Sequence, residues 1–377
     1  NQQLHMLPEI PEEIEDGRLQ NAALSSFPYS LYFKTVRSVI TEYGEELLYR
    51  SPNEGCAILR NSIASYLLRY RGLFAQPEQI IIGAGTEYLY SILIQLLGRN
   101  VCYGVENPGY PKIAKIYRSM GVKYEYIDLD EEGTSAKKLE EKKVDIMHIS
   151  PSHHFPTGMV MPISKRYELL GWVTRKKERY IIEDDYDSEL RLAGKPIPSL
   201  QSIDVSGKVI YINTFAKTLC STVRISYMVL PEALAEKYYR ELSFYSCTVS
   251  NFEQYTLAAF MNAGAFEKHI NRLRNYYQHK RDLILSTFLR EPLGKYITIS
   301  EEDSGVHFLM HVNTSMSEQE FLLKTRAKGI RLATLSSFYN AEQKDSRYEN
   351  TYVMNYSFVD CDRLEYVAQT LYKIIHP

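Results

Sequence analysis

The sequence predicts an α/β protein in two parts: a large domain around a mostly parallel seven-stranded sheet, and a small α+β domain after it. Three observations predict this. Seven short runs rich in β-branched residues lie between positions 79 and 230, most are separated by helical stretches, and from about residue 232 long helices lead into a β-rich end. Strands alternating with helices are joined by crossovers, so their sheet is parallel and covered on both faces.

Taken in order, residues 1–40 form an N-terminal segment expected to pack with the small domain, 41–260 the large domain, and 261–377 the small one. In 56–71, Ile58, Leu59, Ile63, Tyr66, Leu67 and Tyr70 recur at three- and four-residue steps and Gly72 follows as a stop, which predicts an amphipathic helix. The seven strands are expected at 79–82, 100–104, 123–127, 145–149, 179–182, 208–212 and 224–230. Long helices follow at 253–260 and 266–288, then β-rich stretches at 296–311 and 330–358.

Composition removes several functions. Of 377 residues 45% are hydrophobic, and 44 Lys and Arg nearly balance 46 Asp and Glu, so no chain-wide basic field exists to track a phosphate backbone. The five cysteines are scattered without a C-x-x-C pair, which points to a reduced, cytosolic compartment and to no metal site. No apolar run approaches the roughly 20 residues of a membrane helix.

In a parallel sheet, ligands gather at the carboxyl ends of the strands, so the residues just after each run carry the chemistry. After 208–212 comes Asn213-Thr214-Phe215-Ala216-Lys217, with Arg224 seven residues beyond the lysine. A lone lysine is usually a solvated surface residue; here it sits in a small-residue stretch at a strand end, with an arginine able to fork onto phosphate. After 179–182 comes Glu183-Asp184-Asp185-Tyr186-Asp187. So many acids together are expensive unless cationic or protonated groups meet them, and on its own the segment reads as a solvated acidic loop. In extended backbone Asp184 and Tyr186 project to one side. Gly83-Ala84-Gly85-Thr86-Glu87 follows a strand and opens a helix, whose free N–H groups attract an anion. Asn107-Pro108-Gly109-Tyr110-Pro111 is another strand-end turn, with Tyr110 available to stack on a ring.

Together these supply what pyridoxal 5'-phosphate (PLP) demands: a lysine for a Schiff base, a carboxylate for the pyridine nitrogen, a donor to the phenolic oxygen and a phosphate cradle. In this order the segments resemble fold-type I PLP enzymes with the aspartate aminotransferase-like fold. Within them the chain resembles the aminotransferase-like domain of the MocR/GabR class of bacterial transcription regulators. The most specific strings are Pro151-Ser152-His153 with Phe155-Pro156-Thr157-Gly158, and Glu183 to Leu190. Phe27-Pro28-Tyr29-Ser30, Arg71-Gly72 and Arg224 to Pro231 extend the likeness over nearly the whole chain.

The resemblance implies that Lys217 carries the Schiff base and that Asp184 meets the ring nitrogen and Tyr186 the phenolic oxygen. Gly85, Thr86, Thr214 and Arg224 would hold the phosphate, and Tyr110 would stack on the ring. It further implies a homodimer, a winged helix-turn-helix DNA-binding domain before this one, and a small amino-acid effector bound as an external aldimine, with His153, Lys112 and Asn355 as candidate effector contacts.

Three positions depart from aminotransferases. Phe155 replaces the usual Asn before Pro-Thr-Gly, and Ala216 replaces a Ser before the lysine. Asn355, in Met354-Asn355-Tyr356-Ser357-Phe358, stands where an Arg commonly clamps the substrate carboxylate. Losing that charged fork costs on the order of 2–4 kcal/mol, about 30- to 1,000-fold, unless Lys112 or Arg331 replaces it. An effector-sensing domain is therefore the leading expectation, a working aminotransferase the second, and a PLP-less dimerisation module the third.

Overall fold

The computed structural model describes residues 26–194, 197–303, 305–340, 348–356 and 359–376. The seven strands are β1 (Ile80–Ala84), β2 (Tyr103–Asn107), β3 (Tyr124–Asp128), β4 (Ile146–Ile149), β5 (Tyr180–Asp184), β6 (Val209–Thr214) and β7 (Ile225–Val229). They form one sheet in the order β1-β7-β6-β5-β4-β2-β3, in which β7 alone runs antiparallel to its neighbours. Strand β2 begins three residues later than its expected run. The backbone at Cys102 accepts from Asp145 and Ile146 ahead of the ladder, and pairing with β3 continues through Asn107.

Helices cover both faces. On one lie α1 (Tyr29–Tyr43), α2 (Ala57–Arg71) and a later helix, α9 (Asn251–Asn262); on the other lie α3 (Thr86–Leu97), α4 (Pro111–Ser119) and α8 (Glu232–Leu242). Helix α2 buries Leu59, Ile63, Tyr66 and Leu67, and ends at Gly72, whose φ of +61° is the left-handed cap that glycine adopts without strain. Short helices α5 (Ala136–Glu141), α6 (Ile163–Val173) and α7 (Leu200–Ile203) lie beside β4 to β6 around a further apolar cluster centred on Trp172.

The small domain is a four-stranded antiparallel sheet of β8 (Ile297–Ser300), β9 (His307–Val312), β10 (Ala333–Thr334) and β11 (Thr351–Asn355), in the order β10-β11-β9-β8. It is packed by α11 (Glu318–Ala327) and α12 (Leu364–Ile375). The connection is α10 (Ala265–Phe288), a 24-residue helix. Its Ala265, Phe266 and Ile270 belong to the large-domain core, and its Leu273, Tyr277, Ile284 and Phe288 to the small one. The change of domain therefore falls inside α10 rather than at residue 260.

One expectation is corrected for the residues described. Helix α1 lies on the large domain, not the small one: Phe27 and Tyr32 join its core, and the Tyr32 ring meets Phe260 edge-on at 5.6 Å. Two aromatic rings bury apolar area more effectively against that existing cluster than at a polar domain edge. Residues 1–25 of the expected N-terminal segment, and residues 304, 341–347 and 357–358 of the expected β-rich stretches, lie outside the described residues. Among the described residues no helix is long and apolar enough to cross a membrane.

Candidate cofactor and effector site

The carboxyl ends of β1, β2, β4, β5 and β6 face one side of the sheet. Because β7 runs the other way, its first residues sit beside the last of β1 and β6, with Ile225 opposite Ala84 and Ser226 opposite Thr214. Arg224 thus enters the same edge. A cavity of about 290 Å³ opens there. It is lined by Gly85, Thr86, Tyr110, Asp184, Tyr186, Thr214, Lys217 and Arg224, together with Lys112 and Asn355. The small domain completes it with Ala333, Phe338 and Val353. Arg331 is not among the lining residues.

The acidic run after β5 is buried rather than solvated, because each carboxylate has its own partners. Glu183 accepts from the backbone N–H groups of Leu200 and Gln201, both at 2.8 Å. Asp185 accepts from Arg71 at 2.7 Å, Tyr211 at 2.6 Å and Ser188 at 2.8 Å. Asp187 meets His153 Nδ1 at 2.8 Å. Burial raises the Glu183 carboxyl to about 7, with the nearby Asp185 charge adding to it.

Asp184 is held at one oxygen and open at the other. Its Oδ2 accepts from the Tyr90 hydroxyl at 2.6 Å and lies 3.6 Å from His148 Nε2, while Tyr117 Oη meets His148 Nδ1 at 2.9 Å behind it. Asp184 Oδ1 is buried and has no hydrogen-bond partner. An unmet carboxylate oxygen on a cavity wall is costly, and a protonated ring nitrogen is the kind of donor that satisfies it.

The phosphate end is equally specific. Gly85 has φ of +93°, and a Cβ there would stand 2.2 Å from Arg224 Nη2, so only glycine lets the guanidinium close over the start of α3. Arg224 Nη2 pairs with Glu87 Oε2 at 3.0 Å, and Lys112 pairs with Glu87 Oε1. Burial pushes the Glu87 carboxyl up, but the Lys112 hydrogen bond, a backbone N–H and the charges of Lys112 and Arg224 outweigh it and bring it down to about 2. The Thr214 hydroxyl is committed to the protein: it accepts from Ser226 Oγ at 2.9 Å and from Ala216 N at 3.2 Å.

The residues fit PLP: an open acceptor for the ring nitrogen, a lysine beside it, and backbone N–H groups with an arginine at a helix N-terminus for the phosphate. His153 does not line the cavity; it stands behind Tyr186. Sequence reasoning missed Tyr90, His148, Glu106 and the aromatic wall of Phe155 and Phe338. Tyr90 carried a usable signal, since it lies one turn after Thr86 on the helix face that follows the Gly-rich turn. His148, a polar residue in an otherwise apolar strand, carried another. Among the described residues no cluster of His, Cys, Asp or Glu has the arrangement of a metal site.

Comparison with known proteins bears on the family and the fold. Residues 36–347 match the family described as aminotransferase class I and II. The chain is 40% identical over 324 residues, 86% of its length and 70% of the relative's, to the uncharacterised HTH-type transcriptional regulator YdeL of Bacillus subtilis. It is 30% identical to the HTH-type pyridoxine biosynthesis transcriptional regulator PdxR of Corynebacterium glutamicum, covering 84% of this chain and 67% of that one. It is likewise 30% identical to the probable rhizopine catabolism regulatory protein MocR of Rhizobium meliloti, over 83% of this chain and 63% of that one. The chain thus spans about two thirds of the regulators it matches. Among solved structures, kynurenine aminotransferase of Pyrococcus horikoshii superposes with a TM-score of 0.81 at 22% identity, covering 99% of this chain and 96% of that one.

Proposed function

Since this chain belongs to the aminotransferase class I and II family and, within it, to the aminotransferase-like domains of MocR-type transcriptional regulators, we propose that it is a PLP-dependent effector-sensing domain. When bound, PLP supplies an aldehyde carbon that joins a primary amine through a C=N bond, which a lysine can yield to an incoming amine. Lys217 is that lysine. Asp184 Oδ1 keeps the ring nitrogen protonated, Tyr186 donates to the phenolic oxygen, Tyr110 stacks on the ring, and Gly85, Thr86 and Arg224 take the phosphate. Thr214 lines the cavity beside this cradle, with its hydroxyl held by Ser226, Ala216 and Ile225. The proposed effector is a small amine-bearing acid; Lys112 is the cavity cation suited to its carboxylate, with Asn355 offering an amide. The domain acts as a homodimer, and DNA is reached through a winged helix-turn-helix domain outside this chain.

The observation that carries the sensing reading is neutral Asn355 on the cavity wall. Among the described residues, Lys112, Lys217 and Arg224 are the Lys and Arg residues lining the cavity, and two of these three face Glu87. At Asn355 an α-carboxylate meets an amide rather than the forked charged clamp that steady turnover uses. Binding still shifts the domain if the effector favours one arrangement of the two domains over another.

The test is an absorbance titration of the PLP-loaded protein against L-, D- and ω-amino acids, with and without a keto acid. A band shift that holds steady without keto product supports sensing and names the effector. Keto product accumulating over many cycles would make the protein an aminotransferase. Lys217→Ala should abolish the visible chromophore; a chromophore unchanged in that variant would overturn the assignment of the lysine.

A further inference from the structure

Behind the cavity, His153 is sandwiched between the two domains. Its ring lies 6.0 Å from that of Tyr186 at an interplanar angle of 28°, and 4.3 Å from that of His307, the first residue of β9. Gly305 presses backbone onto the same ring: a Cβ at that position would stand 2.2 Å from His153 Cε1 and 2.8 Å from Asp187 Oδ2. His153 and His307 are 2% exposed and Asp187 1%. Such burial for an imidazole and a carboxylate is sustained by their mutual hydrogen bond, with His153 Nδ1 at 3.0 and 2.8 Å from the two Asp187 oxygens.

Counting hydrogens gives this arrangement a direction. A carboxylate only accepts, so the single hydrogen on His153 Nδ1 points to Asp187. The lone pair that Tyr186 would need in order to donate to Nδ1, 3.3 Å away, is then not available. Tyr186 therefore keeps its own hydrogen for the cavity it lines. Burial, and next the Asp187 charge, push the Tyr186 phenol well above its ordinary value, so that hydrogen stays on.

We propose that His153 is a positioning residue: held by Asp187 and clamped by Gly305 and His307, it fixes the Tyr186 hydroxyl as a donor into the cavity, toward the cofactor's phenolic oxygen. The role rests on the PLP reading above and goes beyond it, because it places an element of the small domain against the group that sets the cofactor's protonation. The titratable groups around His153 are Asp187 and Tyr186 from the loop after β5, His154 beside it, Glu301 after β8 and His307 on β9.

A donor to the phenolic oxygen draws negative charge away from the neighbouring C=N nitrogen, so the bound chromophore loses its proton at lower pH; removing the donor raises the midpoint. The experiment titrates the visible band of the PLP-loaded protein with pH in the wild type, His153→Phe, Asp187→Asn, Tyr186→Phe and the double variant His153→Phe/Tyr186→Phe. His153→Phe keeps a ring between Tyr186 and His307 while removing Nδ1. In Asp187→Asn Nδ1 is freed to accept from Tyr186, and in His153→Phe the Asp187 carboxylate, whose charge already acts on Tyr186, is left as the competing acceptor. Both should therefore raise the midpoint by about one pH unit, tenfold in the proton equilibrium, the scale of one hydrogen bond. Tyr186→Phe should raise it at least as far, and His153→Phe should add nothing on that background. Should His153→Phe not fold, Asp187→Asn decides by the same criterion. Midpoints unmoved in His153→Phe and Asp187→Asn, or shifts that add in the double variant, overturn the role of His153. A wild type that takes up no PLP instead overturns the reading on which it rests, and the two failures are told apart in the first titration.

Discussion

Glu87 is a carboxylate placed where a phosphate is to be held, and its replacement by glutamine gives a sharp test of the site. It pairs with Arg224 and Lys112 at once, one negative charge between two positive, and its carboxyl, brought down to about 2, is ionised at every working pH. A phosphate arriving at the start of α3 must compete with Glu87 for Arg224, and Glu87 also offsets the charge of the adjacent Lys112. The side chains are one third to one half exposed, at 32% for Glu87, 45% for Lys112 and 53% for Arg224. Each pair is therefore of the solvent-screened kind, about 0.2–1 kcal/mol. Releasing both amounts to about 0.4–2 kcal/mol, so Glu87→Gln should bind PLP roughly 2- to 30-fold more tightly. Equilibrium binding of PLP to the apo protein, followed by absorbance at low and at high salt, measures this directly. The gain should shrink as salt rises. Affinity unchanged or weakened at low salt would refute the assignment of Arg224 to the phosphate.

Other expectations follow from groups further inside. Arg71→Met leaves the Asp185 carboxylate, 1% exposed, without its ion partner and should destabilise the protein by about 3–5 kcal/mol in urea denaturation. A loss below about 1 kcal/mol would mean the pair is not closed in solution. Glu106 accepts from Ser150 N at 3.0 Å and Thr134 Oγ1 at 3.2 Å, and burial raises its carboxyl from the ordinary 4.5 to about 8. The folded state then binds this proton more tightly than the unfolded chain, so the stability it contributes is full below about 4.5 and is lost as pH climbs through about 8. Glu106→Gln, neutral throughout, should lose less melting temperature between pH 5 and pH 8 than the wild type; an equal loss would contradict the raised value.

Much of the fold was legible because alternating short strands and helices leave few arrangements for a parallel sheet, and the strand-end rule then pointed to Lys217, Asp184 and Tyr186. These three are local features: each follows its strand within a few residues. What stayed hidden was the company they keep. The acidic run read on its own as solvated, since its partners are remote in sequence, with the Arg71 cation 114 positions before Asp185 and the Tyr90 hydroxyl 94 before Asp184. His153 was expected to touch the effector because it flanks the site in sequence. The small domain supplies the ring and backbone that hold it behind Tyr186, and no local pattern specifies which residue of β9 arrives there. The place of α1 was misjudged for a related reason, because the residues of the N-terminal segment do not show which domain covers them.

The separate neutralisation of each acid after β5 bears on how the protein acquires its structure. The carboxylates of Asp184, Asp185 and Asp187 wait on α3, on the end of α2 and on the loop after β4, which must each close a long loop before their charges can leave water. Until all three have arrived, burying the strand end is unfavourable. The apolar sheet can collapse earlier, so this edge is expected to consolidate after the folding barrier has been crossed. Arg71→Met should then act mainly by hastening unfolding while leaving the folding rate nearly untouched, which stopped-flow measurements would show as a shift in one arm of the chevron. A protein arranged in this way forms its binding site as the final check on a correctly assembled large domain.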